Sequence, residues 1–175
     1  MKKHVLAAAA FLTVAALTTG CSDNQFEQET AAEKQAVTLA REAQQGGYQL
    51  ITVEELKNRL DGQQEMLIID TMPYDSSFKK GHIPGAKNFV FAKQATDGKS
   101  WAALTEDNQS EQAFLELLGP DKSRTIVMYC GFVACGRSHN AAIWAVNQGY
   151  ENVYRLPGGI LRGAVPVIRL KKLNN

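Results

Sequence analysis

Short apolar runs that end in polar or turn residues alternate along this chain with segments of helical periodicity. The clearest runs are Thr125–Tyr129 and Met66–Ile69, the second of which leads into Asp70. Both are apolar at consecutive positions, which is typical of strands buried on both faces of a sheet. The same criteria predict three further strands, at Gln49–Ile51, Asn88–Phe91 and Asn152–Arg155.

Helices are predicted between these strands. The segment from Thr52 to about Leu60 opens with the spacing of a capping box, and Ser110 is placed to cap a helix that Gly119 ends. A third helix is predicted from about Arg137 to Gln148. Strands that alternate with helices indicate an α/β fold with a mainly parallel central sheet and helices on both faces.

Composition and charge narrow the function classes. The chain has 175 residues, of which 45% are apolar and 21% charged, as in an ordinary globular protein. A formal net charge of +1 argues against nucleic acid as a partner, because phosphate binding requires a basic excess. Three cysteines are too few for a disulfide-stapled scaffold. No metal is expected, because Cys130 and Cys135 lack the second ligand pair of a zinc site.

The N-terminus has the pattern of an export signal. A positive start is followed by the apolar stretch Val5–Leu17, which is too short to span a bilayer, and then by Gly20 and Cys21. This order resembles the signal of bacterial lipoproteins, which implies that residues 1–20 are removed and that Cys21 is acylated. Ser22 resembles the sorting pattern for the outer membrane, with the domain facing the periplasm. The alternative is ordinary secretion with an incidental cysteine.

Two segments follow the signal. Residues 21–47 are polar and rich in Gln, Glu and Ala, and they have two interpretations: a solvated helix from about Phe26 to Gln45, or a flexible tether. Nothing in this segment indicates chemistry. Residues 48–175 form the predicted folded domain.

The candidate chemistry lies after the strand Thr125–Tyr129. Cys130 ends this strand and precedes a glycine-flanked loop that opens a helix, which is the usual ligand crevice of an α/β sheet. Backbone N–H groups and the helix N-terminus there favour a thiolate, so Cys130, Cys135 and Arg137 are the candidate catalytic residues. We expect Cys130 to be the more acidic thiol, Cys135 to lie nearer the loop rim, and His139 to be half-exposed. A buried structural cysteine is the alternative. The candidate substrate-binding residues are Gly131, Phe132, Val133, Ala134, Gly136 and Ser138.

Over about residues 48–165 these features resemble the rhodanese-like domains. Leu67–Asp70 is similar to the family's strand that ends in Asp, and Gly81–Ala86 matches its signature turn. Tyr129-Cys130 matches the strand end with the catalytic cysteine. The resemblance implies a rhodanese-like α/β fold and a sulfurtransferase that carries sulfane sulfur as a persulfide, with no cofactor. It also implies a small sulfur-containing donor, a thiol or thiophilic acceptor, and supporting roles for Asp70 and His82.

The chain departs from this family at the site itself. Six residues separate Cys130 from Arg137, where typical single-domain members have four, and the longer loop contains Cys135. Met72 stands where the family often has Arg. We therefore expect Cys130 to accept sulfur and Cys135 to resolve the persulfide, with a redox partner protein as reductant. The alternatives are a thiol–disulfide redox protein and an inactive binding module with a structural Cys130–Cys135 disulfide. A phosphatase is disfavoured by the loop length and by the lack of a His before Cys130.

Overall fold

The sheet has five strands, all parallel to their neighbours. A computed structural model describes residues 23–106, 109–160, 168 and 171–172. The strand order is β1-β5-β4-β2-β3, so the predicted α/β fold with a parallel central sheet is confirmed. The strands are β1 Gln49–Leu50, β2 Leu67–Asp70, β3 Lys87–Asn88, β4 Thr125–Tyr129 and β5 Asn152–Leu156.

The helices begin where their capping signals predict. The Thr52 hydroxyl accepts the N–H of Glu55, whose carboxylate accepts the N–H of Thr52, and this completes the capping box. Ser110 accepts the N–H of Ala113 in the same way. The helices are α1 Asp23–Gly46, α2 Val53–Asp61, α3 Trp101–Leu104, α4 Glu111–Leu118 and α5 Arg137–Asn147.

The predicted strand Asn88–Phe91 is shorter in the structure, where β3 ends at Asn88. The N–H groups of Phe89 and Phe91 still reach the carbonyls of Asp70 and Thr71. They do so beyond the end of β2, where the chain turns at Pro73 and regular pairing stops.

The two faces of the sheet have different cores. On one face, an aromatic cluster includes Phe91, Phe114 and Trp101. The other face contains the second buried cluster, to which both Cys130 and Cys135 belong. The register pairs Ile68 with Val127 and Asp70 with Tyr129, and alternate residues of a strand share a face, so Asp70 projects on the side of the cysteines. The remaining members of the cysteine-side cluster include Ile83, Leu156 and Ile160.

The segment that precedes the domain is helical. Of its two interpretations, the structure adopts the helix, because α1 extends over 24 residues from Asp23 to Gly46. It packs against α5, so it is part of the folded body. Among the described residues, no helix combines the length and apolarity needed to cross a membrane. Residues 1–20 and the predicted lipidation site Cys21 lie outside the described residues.

Candidate active site

The site is built on the loop that joins β4 to α5. Both of its cysteines are free and buried, Cys130 with 1% and Cys135 with 4% of its surface exposed. Cys135 therefore does not lie at an open rim, as its position in the sequence led us to expect. Cys130 Sγ donates to the Cys135 carbonyl at 3.5 Å and accepts from the Ser138 hydroxyl at 3.6 Å.

The donors of the loop favour the charged form of Cys135. The Cys130 thiol, and after it the backbone N–H groups of Arg137 and Gly131, act as donors toward Cys135 and lower its pKa to about 6. The hydrogen bond to Cys135 and burial raise the pKa of Cys130. This direction is opposite to the expectation that Cys130 is the more acidic thiol, because the donors of the loop favour the charge on Cys135.

The Arg137 side chain does not face the sulfur atoms. Its guanidinium donates to the carbonyl of Phe91 and forms an ion pair with Glu106, with 3.0 Å between Nη1 and Oε2. Arg137 thus holds the loop before α4, while its backbone N–H and its positive charge both lower the pKa of Cys135. The sequence alone predicts an anion-binding guanidinium. It does not indicate the ion pair, because Glu106 lies 31 positions before Arg137, in an irregular loop.

A second arginine, Arg155, holds the cysteine loop through hydrogen bonds. The sequence did not identify it as a site residue. Arg155 on β5 is fully buried. Its Nη2 donates to the carbonyls of Val133 at 3.2 Å and Cys135 at 3.0 Å, and its Nε donates to the Ser138 hydroxyl at 3.0 Å. The Ser138 hydroxyl in turn donates to the Cys130 sulfur. A charged residue inside a predicted buried strand was the available signal, since such a charge requires partners.

The partners of Arg155 come from the N-terminal part of the chain. Its guanidinium is ion-paired with Glu42 on α1 and donates to the Tyr48 hydroxyl at 3.2 Å. Tyr48 in turn bonds to Nδ1 of His139, whose Nε2 donates to the Thr96 carbonyl at 2.9 Å. His139 is therefore buried, not half-exposed, and burial lowers its pKa. The segment in which no chemistry was expected contributes Glu42 to this network.

Two glycines allow the loop to lie close to its neighbours. A Cβ on Gly136 would lie 2.3 Å from the backbone nitrogen of Ala95, and the Gly136 N–H donates to the Lys93 carbonyl at 3.0 Å. Gly159 has φ +57°, and a Cβ there would lie 2.4 Å from the carbonyl oxygen of Cys130. Gly136 therefore serves packing, because its N–H points away from the cysteine sulfurs.

The other predicted substrate-binding residues divide between the interior and the surface. Gly131 and Ser138 contact the cysteine sulfurs. Phe132 is 40% exposed and Ala134 is exposed, so they lie at the mouth of the site. Val133 and Ala134 also border a cavity of about 170 Å³ whose opposite wall is α1. The residues of α1 that line it are Lys34, Gln35, Thr38, Leu39 and Glu42.

The two predicted supporting residues make no hydrogen bond to the cysteine loop among the described residues. Asp70 accepts the N–H of Met72 at 2.9 Å and makes no hydrogen bond to the described cysteine loop, in contrast to the expected role. Burial raises the pKa of Asp70 to about 6. His82 donates from Nδ1 to the Phe78 carbonyl at 2.9 Å and stacks on the Phe78 ring, so it fixes the signature turn.

The chain is similar to parts of two known proteins from other organisms. It is 31% identical over 110 residues to a tRNA uridine(34) hydroxylase of Prochlorococcus marinus, a match that covers 60% of this chain and 30% of that protein. It is also 31% identical over 94 residues to the sulfur carrier protein TtuD of Thermus thermophilus, covering 54% and 31%. The chain thus spans less than a third of the length of either relative.

A solved structure and a family model address the fold. The thiosulfate sulfurtransferase of Pseudomonas aeruginosa superposes with a TM-score of 0.56 at 20% identity, over 81% of this chain and 23% of that protein. At this identity the similarity supports the fold. The family model of the rhodanese-like domain matches residues 52–163, a range that contains β2, the cysteine loop and Arg155. The chain belongs to the rhodanese-like domain family.

Proposed function

We propose that this protein is a sulfurtransferase that carries sulfane sulfur as a persulfide on Cys130 and resolves it with Cys135. The observation that carries the proposal is the pair of free, buried thiols in one loop, in which the Cys130 thiol donates to the Cys135 carbonyl at 3.5 Å. The pKa of Cys135 is lowered to about 6, so the pair holds a thiolate near neutral pH, and a thiolate is the nucleophile in sulfur transfer.

In the first step, the Cys130 thiol gives its proton to the Cys135 thiolate, which leaves a thiolate on Cys130 at the strand end. With thiosulfate as donor, Cys130 Sγ bonds to the sulfane sulfur, the sulfur–sulfur bond of thiosulfate breaks, and sulfite leaves with its electron pair. The terminal sulfur of the persulfide carries the negative charge. The N–H groups of Gly131 and Arg137, which now bond to Cys135, are the donors nearest to this charge.

In the second step, Cys135 Sγ attacks Cys130 Sγ, the bond from Cys130 to the sulfane sulfur breaks, and hydrogen sulfide anion leaves. The two cysteines are oxidised to a disulfide, while the sulfane sulfur is reduced to sulfide. A dithiol reductant supplied by a partner protein then returns the disulfide to two thiols. A thiophilic acceptor that reaches the persulfide first takes the sulfur directly.

The relatives support the sulfur-transfer class. TtuD is a sulfur carrier protein, and the Pseudomonas aeruginosa protein is a thiosulfate sulfurtransferase. Transfer of sulfane sulfur by the present chain is the activity consistent with those names and with the cysteine pair of its loop.

The proposal includes a lipid-anchored position in the bacterial cell envelope, with the domain facing the periplasm. It is supported by the apolar stretch Val5–Leu17 and by Gly20-Cys21. Cys21→Ser should release the protein from the detergent phase of a phase-partition experiment. An unchanged partition and mature mass would contradict acylation at Cys21.

Thiol–disulfide exchange is a second candidate, favoured by the low pKa of Cys135 beside a second thiol. The two functions differ in whether sulfane sulfur is ever bound to the protein. In exchange, the pair cycles between dithiol and disulfide only.

Intact mass spectrometry of the reduced protein after exposure to thiosulfate separates these functions. Sulfur transfer requires a mass gain of one sulfur atom that reductant removes and that Cys130→Ala abolishes. Cys135→Ala should retain the added sulfur longer and release less sulfide. If neither wild type nor Cys135→Ala ever gains sulfur, the sulfurtransferase proposal is wrong, and the disulfide functions remain.

A further inference from the structure

Asp70 is a buried carboxyl group with one unused oxygen. It ends β2 with none of its surface exposed. One oxygen, Oδ1, accepts the Met72 N–H at 2.9 Å. Oδ2 has no hydrogen-bond partner of standard geometry among the residues that the structure describes, although the Tyr129 hydroxyl acts on the carboxyl group. A buried carboxylate oxygen without a partner is unfavourable, and such groups are found where a protein uses their proton affinity.

The position of Asp70 associates this oxygen with the cysteine pair. Asp70 is in register with Tyr129, the residue before Cys130, and projects on the face of the sheet that contains both cysteines. The charge of Cys135 acts on Asp70 and disfavours its ionised form. Met72, where the family often has Arg, supplies an N–H and no positive charge. A second cysteine and an uncompensated carboxyl therefore occur together in this chain.

We propose that Asp70 is the internal proton acceptor for the cysteine pair during release of sulfide. The inference rests on the proposed function, because it concerns the step in which Cys135 resolves the persulfide on Cys130. Asp70 takes the proton of Cys135 as this thiol attacks, and returns it to the sulfur that leaves.

The step balances within the protein. The Cys135 thiol gives its proton to the Asp70 carboxylate, and the resulting thiolate forms a bond to Cys130 Sγ. The bond from Cys130 to the terminal sulfur breaks with its electron pair, and this sulfur takes the proton from Asp70 and departs as hydrogen sulfide anion. Asp70 is again a carboxylate, and the two cysteines are a disulfide.

The titration of Asp70 suits this role. Burial raises its pKa to about 6, whereas the Met72 N–H and the Tyr129 hydroxyl oppose the rise. The titratable groups that act on it are thus Tyr129 from β4 and Cys135 from the loop. A carboxylate with a pKa close to the working pH both accepts and returns a proton readily.

Asp70→Asn tests the inference, because asparagine retains an oxygen for the Met72 N–H and removes the charge and the proton. Two effects of opposite direction are expected. The pKa of Cys135, the more acidic thiol, should fall, since a nearby negative charge is gone. Release of sulfide from the preloaded persulfide should slow about 100-fold. The rate should also lose its inflection near pH 6. A role confined to structure or to charge alone would not give more thiolate with slower release.

Thr71→Val is the matched control. Thr71 is the next residue, is equally buried, and bonds to the Tyr129 carbonyl, yet it carries no ionisable proton. The rate of sulfide release from Thr71→Val should keep the inflection near pH 6. The inference is overturned if Asp70→Asn forms the persulfide and releases sulfide with the rate and pH profile of the wild type. Absence of any persulfide in both the wild type and Cys135→Ala would instead overturn the proposed function.

Infrared spectroscopy of the wild type provides a measurement that does not depend on turnover. The stretching band of a buried protonated carboxyl should titrate near pH 6 and be absent from Asp70→Asn. Its midpoint should shift to lower pH when the cysteines are oxidised, because the neighbouring thiolate charge disappears. A band whose midpoint does not change when the cysteines are oxidised would contradict the exchange of protons with the pair.

Discussion

Glu42 on α1 is ion-paired with Arg155, the buried side chain that holds the cysteine loop. The two residues are 113 positions apart, and Glu42 lies before the segment that matches the family model. Helix α1, which precedes the matched segment, thus supplies the counter-charge of a residue at the site. We infer that α1 and the domain fold as one unit.

Neutralising Glu42 should therefore destabilise the whole protein. Glu42→Gln leaves the Arg155 charge buried with only neutral partners, at a penalty of about 3 kcal/mol in the free energy of unfolding. Denaturant titration measures the loss, and Glu33→Gln on the exposed surface of α1 is the control. If Glu42→Gln is as stable as Glu33→Gln, the ion pair contributes nothing to the fold.

Gly136→Ala should displace the cysteine loop. The added Cβ meets the backbone of Ala95 and Gln94, which cannot rotate away as a side chain would, so we expect a loss of about 2–4 kcal/mol. Gly149→Ala is the matched control, because its φ of +86° is strained for alanine but its surroundings are open. That variant should lose about 1 kcal/mol and retain sulfur loading. Equal effects at both positions would show that the contact with Ala95 is unimportant.

Because of Asp70, the stability of the protein should fall as the pH rises from about 4 to about 6. Its folded-state pKa of about 6 exceeds the ordinary aspartate pKa of 3.8, so the folded form holds the proton more tightly. The stabilisation is complete below the unfolded pKa and disappears as the pH rises through the folded one, a change of about 3 kcal/mol. Burial lowers the pKa of His139, which acts oppositely as the pH falls below about 6.5.

Asp70→Asn isolates this contribution. The variant should lack the decrease between about pH 4 and pH 6 and retain the acid-side decrease that His139 causes. Urea titrations of both proteins across this pH range give the difference directly. If the two curves run parallel, Asp70 titrates in the folded protein as it does in the unfolded chain.

The sequence predicts the sheet and helices well because their signals are local. The apolar run Thr125–Tyr129 and the capping residue Ser110 identify their elements without knowledge of the rest of the fold. The side chains of the site depend on partners far along the chain. The role of Arg137 changes because Glu106 draws its guanidinium away, and Arg155 gains a role from Glu42 and the loop carbonyls.

The acidity of the cysteines illustrates the same limit at shorter range. The sequence indicates an anion-stabilising loop after Cys130, and the structure contains the expected N–H donors. Six residues between Cys130 and Arg137 allow the loop to fold back, so that the Cys135 sulfur receives those donors. Loop conformation, which spacing does not specify, decides which sulfur carries the charge.

The hydrogen bond from Cys130 should be the main cause of the low pKa of Cys135. Cys130→Ala removes the donor and leaves the N–H groups of Arg137 and Gly131, so the pKa of Cys135 should rise from about 6 toward that of an ordinary thiol. Cys130→Ser retains a hydroxyl donor at the same position and should keep most of the depression.

Ultraviolet absorbance of the thiolate, followed from acid to alkaline pH, measures each titration in the absence of donor. Each Cys130 variant retains one loop thiol, so the signal belongs to Cys135 once Cys21 is acylated. A matching pKa in Cys130→Ala and Cys130→Ser would assign the depression to the amides and Arg137 alone. If the lower wild-type pKa instead equals the pKa measured in Cys135→Ala, Cys130 is the more acidic thiol. The wild type and Cys130→Ser should both have a lower Cys135 pKa than Cys130→Ala, because each retains a hydrogen-bond donor that stabilises the thiolate.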